Sequence, residues 1–330
     1  MILNRVRQYN LKFREKYGQT VIACDGGSWR KQAFAQYKAG RKKTRDASPL
    51  DWKEFFRLIN LVRTELDENF PYPVVYVDNA EADDIIAVLS KSTQEFGQNE
   101  PVVIISADKD FLQLHRYSNV KQFSPMKRDF ITINDPLFYR FEHICKGDSS
   151  DGVPNVLSPD NTFTEGLRQK PMRAKKILEW YESKDNLESV MDTETLRNFH
   201  RNREVIDLDY IPTEIVDAIH KATAEQASKP KKDVLNYLIT NRCAMLVEDI
   251  ELHLPSGKPP FTCDEKPYGK PEVKIKMLGR CVKGNGTNAI KKEKLFIEIL
   301  ESLVEEDANI VCLAKDGKVM KEYSRVSESL

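Results

Sequence analysis

The 330-residue sequence predicts an α/β fold: a parallel sheet flanked by helices, followed by an α-helical domain. Three observations carry that prediction. Short β-branched runs alternate with longer segments of helical apolar spacing, which is the pattern of a parallel sheet covered on both faces. Three of those runs end directly in acidic residues. From about Pro136 onward the strand pattern stops, and helical segments joined by polar loops take over.

In order along the chain, residues 2–17 form an amphipathic pattern, expected as a helix. Thr20–Cys24 (TVIAC) is a short strand that stops at Asp25-Gly26-Gly27, which is turn chemistry. Residues 29–45 are basic and compatible with a helix, with Gly40 interrupting them. Trp52–Asn69 places Phe55, Phe56, Ile59, Val62 and Leu66 at helical spacing. Val74–Val77 is a strand leading to Asp78, and Ala82–Thr93 is a helix. Val102–Ser106 is a third strand, Phe111–His115 a short helix and Val120–Phe123 a further strand. Pro255–Pro271, rich in Pro, Gly and Lys, is expected as a linker. Beyond it, residues 291–305 predict an amphipathic helix. Residues 309–323 predict a hairpin about Asp316-Gly317.

Length and composition bound the function. The size suits about two domains. No apolar run is long enough to span a bilayer, and the N-terminus is basic without an apolar core, so neither a membrane partner nor export is expected. Six Cys form no C-x-x-C pair, which argues against a zinc ribbon and for reduced cytoplasmic thiols. The 51 basic and 51 acidic residues cancel, but not locally. Residues 1–60 carry 14 Lys/Arg and 5 Asp/Glu, whereas residues 61–160 carry 9 and 17. Such asymmetry is a cue to partners that the total conceals, although an uneven solvated surface also produces it.

The acids sit where chemistry is expected. Ligands of open parallel sheets bind beyond the carboxyl ends of the strands. Here those ends carry Asp25, then Asp78 with Glu81-Ala82-Asp83-Asp84, then Asp108 and Asp110. Carboxylates crowded into one pocket repel and raise one another's pKa, and a bound cation relieves the repulsion. An oxygen set without His or Cys favours Mg²⁺ or Mn²⁺ over zinc. Taken singly, Glu81, Asp83 and Asp84 also suit the positive end of a helix dipole, and Asp108-Lys109-Asp110 suits an N-cap. Lys146-Gly147-Asp148-Ser149-Ser150-Asp151-Gly152-Val153-Pro154-Asn155 adds two Asp three apart, which a helix would place on one face and which otherwise forms a polar loop.

The order EADD, SADKDF, KGDSSDGVPNV resembles the structure-specific 5′-nucleases, the flap endonuclease and 5′-exonuclease superfamily, and most closely its T-even phage ribonuclease H branch. The likeness covers about residues 1–252, including IACDGGSWRKQAFAQYKAGRKK and NREVIDLDYIP. It implies a PIN-like nuclease domain over residues 1–140 and a helical DNA-binding domain over 141–252. Residues 253–330 are left as a linker plus an unassigned small α/β segment. It further implies a phage replication enzyme of the host bacterial cytoplasm that removes RNA primers and adjacent DNA. Two Mg²⁺ ions, replaceable by Mn²⁺, would support phosphodiester hydrolysis. The metal-site acids carried over by position are Asp25, Glu81, Asp83, Asp108, Asp110, Asp148 and Asp151, with Asp84 in the same motif. Lys38 and Arg41, three apart, would face the scissile phosphate. Trp29, Arg30, Lys31, Tyr37, Lys42, Lys43 and Arg45 lie where the family carries an arch over the active site. Backbone clamping is expected there, with Tyr37 either stacking on a base or buried, and a solvated basic helix is the plain alternative. Lys146, Arg173, Lys175 and Lys176, together with Lys170, would meet duplex phosphates or line a solvated helix face. Implied partners are branched or nicked DNA, RNA–DNA duplex, a single-stranded-DNA-binding protein and a sliding clamp.

The sequence departs from the pattern twice within the matched region. The family's first strand, which ends in a metal-site Asp, has no counterpart ahead of residue 2, so the sheet is expected to lack it. After Asn155 the residues Val156–Phe163 replace the Gly-Ile-Gly hairpin of cellular members, and with it their potassium site. A non-catalytic nucleic-acid-binding relative and a PIN-type ribonuclease acting on single strands are the two rival readings. The KGDSSDGVPNV segment and the helical half argue against the second.

Overall fold

The computed structural model describes residues 2–94, 99–228 and 234–241. These fall into two units. In the first, helix α1 (Ile2–Tyr17) buries Phe13 and Asn10, and the Thr20 hydroxyl donates to Asn10 Oδ1 at 3.0 Å. The same unit includes helix α10 (Val234–Thr240), whose Tyr237 ring meets Phe70 edge to face at 5.1 Å between centroids.

The second unit, residues 21–64 and 72–228, holds the sheet strands. Strand β1 (Ile22–Cys24) is followed by helices α2 (Arg30–Ala33), α3 (Gly40–Asp46) and α4 (Trp52–Asn69), then strand β2 (Val74–Tyr76). β1 and β2 pair in parallel, with Ala23 opposite Val75. Helix α5 (Ala82–Ser92) leads to strand β3 (Val102–Ile105), a 3₁₀ helix over Asp110–Arg116 and strand β4 (Val120–Ser124), which runs parallel to β3. Strand β5 (Asp129–Ile131) returns antiparallel to β4 through a turn in which Arg128 takes φ +57°. The sequence reading omitted β5, because three residues beginning with Asp carry no alternation to detect.

The sheet is in two pieces: β1–β2 and β3–β4–β5 are separate, and no described strand joins them. Helix α5 serves both. Its Ile85 and Val88 pack with Val75 and Val77, while its Ala87 packs with Ile104, Phe111 and Leu114.

Four helices complete the unit: α6 (Pro136–Lys146), α7 (Ala174–Glu182), α8 (Thr193–Ile206) and α9 (Thr213–Ser228). Asp135 caps α6 by accepting from Phe138 N at 2.8 Å, with Pro136 at the first helical position. Asp192 caps α8 in the same way through Thr195 N at 2.9 Å. Phe141, Ile144, Ile177, Trp180 and Phe199 form a helical core that also takes in Phe34 and Tyr37. Two side chains from the basic segment are therefore anchored under the helical half. The loop leading to Asn155 is pinned by α8: Arg201 donates to Pro154 O at 2.9 Å, and Asn202 donates to the same oxygen at 2.9 Å and to Ile144 O at 2.8 Å.

One expectation changes here and one open choice is decided. The basic stretch 29–45 is not one helix: α2 ends at Ala33, and Lys38 adopts φ +56° before α3 begins at Gly40. Of the two readings left open for Asp148 and Asp151, the loop is the one the structure takes: Asp148 forms a bridge with Val153 across a tight turn. The predicted linker, helix and hairpin between residues 255 and 323 lie outside the described residues.

Candidate active site

The site forms where β1, β2 and β3 end and the loop after α6 turns back. Gly26 makes the first approach possible. Its N donates to Ala80 O at 2.8 Å and its C=O accepts from Asn79 N at 2.8 Å. A Cβ there would lie 1.9 Å from Val77 O, which excludes any other residue. This close crossing holds Asp25 against the start of α5, where its Oδ1 accepts from Ala82 N at 2.9 Å.

At that helix start the two ends of the EADD motif serve as scaffold as well as site. Glu81 precedes the first turn of α5, and its backbone N–H donates to Asp84 Oδ2 at 2.9 Å. Asp84 is fully buried. Arg30 grips it with Nη2 to Oδ1 at 2.7 Å and Nη1 to Oδ2 at 3.1 Å, and Trp29 Nε1 donates to Oδ2 at 3.2 Å. With both oxygens engaged, Asp84 belongs to the scaffold rather than to the acids open to a metal. Arg30 is itself buried and also donates to Val205 O at 2.8 Å and Glu81 Oε2 at 2.9 Å, so it is not available to a phosphate. Carboxylates on either side hold its guanidinium firmly charged despite burial.

Asp83, one position back, points to the opposite company. Burial and the charges of Asp108, Asp110 and Glu81 push its carboxyl up to about 7. Neither Asp83 nor Asp108 has an ion pair among the described residues. Asp108 Oδ1 accepts from Asp110 N at 3.0 Å, which shapes the entry to the 3₁₀ helix. The loop after α6 brings the fourth element. Gly147, at φ +67°, lets Asp148 turn inward, and Asp148 Oδ1 accepts from Ser150 N and Oγ, both at 2.7 Å. One pocket is lined by Glu81, Asp83, Asp110, Asp148 and Asp151 together with Arg30 and Tyr37.

Asp151 gathers the arch residues. Tyr37 donates to Asp151 Oδ2 at 2.8 Å and lies 2.9 Å from Glu81 Oε2. Lys38 pairs with Glu81 and, at 3.4 Å, with Asp151, while Arg41 Nη2 reaches Asp151 Oδ1 at 2.6 Å. Lys38 and Arg41 thus converge on the acidic group, but through a left-handed turn rather than along one helical face. Tyr37 is buried, so base stacking is closed to it. Lys31, Lys42 and Lys43 are exposed, and Arg45 is half-buried with its guanidinium 5.7 Å from the Phe56 ring centroid. Lys38, Arg41, Arg45 and Phe56 line a cavity of about 590 Å³, whose wall also includes Ser149, Ser150 and Phe163. Lys146 pairs with Glu142 at 2.7 Å, and Arg173, Lys175 and Lys176 are exposed on and just before α7.

Sequence reasoning missed two residues of the site. His143 Nε2 lies 3.1 Å from Asp110 Oδ1 and 4.0 Å from Asp148 Oδ2. Tyr139 stacks on its ring, and burial together with Asp110, Asp108 and Asp148 drives the Tyr139 hydroxyl pKa upward. Burial opposes charge on His143, but the close side-chain contact with Asp110 and the charges of Asp110, Asp148 and Asp108 outweigh it and raise its pKa. The available signal was spacing: Tyr139 and His143 are four apart in the helical pattern that starts at about Pro136, and α6 ends at Lys146, two residues before Asp148. The donor set of crowded carboxylates, with one proton retained near neutrality on Asp83, fits hard divalent cations.

Comparison with known proteins finds likenesses along most of the chain. Residues 2–139 match the family described as 5′-3′ exonuclease, N-terminal resolvase-like domain. Residues 138–252 match T4 RNase H, C terminal, and residues 220–321 match a family of unknown function. The chain is 32% identical to the ribonuclease H of Enterobacteria phage T4 over 260 residues, covering 76% of this chain and 84% of that protein. It is 31% identical to the DNA polymerase I of Lactococcus lactis strain IL1403 over 149 residues, only 16% of that protein's length. It is 30% identical to the flap endonuclease Xni of Shewanella piezotolerans over 128 residues, 44% of that protein. Among solved structures, phage T5 D15 flap endonuclease in a complex with DNA and metal ions aligns with TM-score 0.46 and 18% identity, over 68% of this chain and 89% of the other.

Proposed function

The chain belongs to the 5′-3′ exonuclease family in its T4 ribonuclease H branch, a family of nucleases, and from that premise we propose a divalent-metal-dependent 5′ nuclease acting on flapped or nicked DNA and on RNA annealed to DNA. The observation that supports it best is the convergence of Glu81, Asp83, Asp110, Asp148 and Asp151 from separate elements on one pocket. Asp83, Asp108, Asp110 and Asp148 would hold the ions, with Glu81 and Asp151 beside them and Asp25 at the rim. Bound there, divalent ions supply Lewis acidity and neutralise charge on a phosphodiester, and Mg²⁺ is the natural first choice for an oxygen-rich site.

The chain's own residues do the rest. Lys38 and Arg41 sit on the lip between the acids and the cavity lined by Arg45 and Phe56. In that place they can bind the scissile phosphate and draw it toward the acids. Tyr37, donating from beneath, holds Asp151 and Glu81 in position. The exposed cations Lys31, Lys42 and Lys43 would add sequence-independent grip on the backbone, as would Arg173, Lys175 and Lys176. Removal of RNA primers and the adjacent DNA during phage replication is the role this chemistry suits.

The test is incubation with 5′-labelled flap duplex and RNA–DNA hybrid in Mg²⁺ or Mn²⁺. Cleavage is expected, and Asp83→Ala or Asp108→Ala should abolish it while DNA binding persists. Retained cleavage in both variants would remove the acidic pocket from the mechanism.

A further inference from the structure

We propose that His143 is itself a ligand of the metal centre, so that one divalent ion is held by a nitrogen as well as by carboxylate oxygens. The proposal rests on the metal-dependent reading above and specifies one of its donors. His143 Nε2 and one oxygen each from Asp110 and Asp148 lie within 4.8 Å of one another. Nε2 is buried, and its near neighbours among the described residues are Asp110 Oδ1 at 3.1 Å and Asp148 Oδ2 at 4.0 Å. Donors around a common cation show such spacing: they approach one another to about 3 Å because each lies about 2.0–2.2 Å from the ion.

The fold fixes the ring for that task. Tyr139, one turn earlier on α6, lies parallel to it at 5.9 Å between centroids and 9° between planes. The helix then ends, with Gly147 N donating to His143 O at 2.9 Å. Gly147 carries the chain into Asp148 through a left-handed turn that a Cβ would block, lying 2.4 Å from Val153 O. Helix end and turn together set His143 and Asp148 as one unit against Asp110. An imidazole donor changes selectivity: later first-row ions gain over Mg²⁺ at such a site, in the order Mn²⁺, Fe²⁺, Co²⁺. The rival role is an imidazolium that merely neutralises Asp110 and Asp148.

Pulsed electron paramagnetic resonance of the full chain loaded with Mn²⁺ separates the two. A directly bound imidazole gives ¹⁴N modulation, which should become ¹⁵N modulation when only histidine is ¹⁵N-labelled and vanish in His143→Gln. Calorimetric titration should show Mn²⁺ binding to His143→Gln weakened by about tenfold or more, with Mg²⁺ binding reduced less. Mn²⁺ that binds in an Asp108-dependent way but shows no histidine nitrogen in the wild-type chain overturns the His143 assignment and leaves the acidic centre standing. Nitrogen modulation that survives in His143→Gln also overturns it. No Mn²⁺ binding by the wild-type chain would overturn the metal-dependent reading, and this inference with it.

Discussion

Asp83 and Asp84 are adjacent, and the structure gives them opposite work, so exchanging each for Asn should produce opposite results. Asp84→Asn keeps the shape but removes the charge facing Arg30, whose guanidinium is buried and held by two contacts of 2.7 and 3.1 Å. Removing one partner of a buried pair costs about 3–5 kcal/mol. Glu81 remains 2.9 Å from Arg30 Nη1 and Val205 O still accepts from Nε, so the lower end applies, about 3 kcal/mol. For a unit of this size that is a fall in Tm of about 6–12 °C. Asp83→Asn should do the reverse in the metal-free chain. Its carboxyl is pushed up to about 7 because it sits buried among like charges, and deleting the charge at pH 8 relieves at most about 4 kcal/mol. The assay is thermal unfolding in chelator and again in excess Mn²⁺. Asp84→Asn should melt lower yet keep its metal-induced rise in Tm. Asp83→Asn should melt at or above the wild type in chelator and lose most of that rise. An Asp84→Asn protein that melts like the wild type but no longer responds to Mn²⁺ would refute the division of roles.

The same Asp83 shift predicts a pH trend. Because the folded carboxyl holds its proton more tightly than the unfolded one, stability without metal should decline as pH rises from about 4 to about 7 and then level; unfolding by denaturant should show that decline shrinking in Asp83→Asn. Gly147→Ala meets Val153 O at 2.4 Å and a φ of +67°, so it should lose more than about 1 kcal/mol and weaken Mn²⁺ binding by displacing Asp148, both readable in one calorimetric series. Lys42→Ala and Lys43→Ala, at exposed positions with no ion pair among the described residues, should each lower the salt slope of DNA binding by about 1. Tyr37→Phe should leave that slope unchanged, since its hydroxyl is spent on Glu81 and Asp151.

Elements with strong periodicity were legible in the sequence. Trp52–Asn69 forms a helix with the predicted bounds, and Val74, Val102 and Val120 each open a strand where the β-branched runs begin. What failed was local geometry set by distant contacts. Lys38 leaves the helical pattern because its N–H donates to Asp151 O at 2.7 Å, a partner 113 positions away that no window on the basic segment contains. The turn at Asp148, by contrast, is closed locally, by Val153 N donating to Asp148 O at 2.7 Å. Two acids three apart carry no trace of whether a helix or a turn will hold them.

The acidic site was legible as a set and ambiguous by member, and the ambiguity has a physical cause. Successive residues on a helix point about 100° apart, so EADD must divide its carboxylates between the pocket and whatever lies behind it. Which one faces inward depends on a cation beyond the helix, and Arg30 was expected to bind phosphate from its place in the family's arch. Once Arg30 is seen to be buried against Asp84, both assignments fall together, because each is the other's counter-charge. The remaining acids of the pocket then pair, among the described residues, with Lys38, Arg41 and His143. Lys38 and Arg41 neutralise the Glu81–Asp151 side. The Asp83–Asp108–Asp110 side keeps an excess of negative charge, and there the carboxyl pKa rises furthest. On the proposed function, a divalent cation would gain most on that side and a phosphate on the other. The two ligands would then be sorted by charges that cancel completely in the total of 51 against 51.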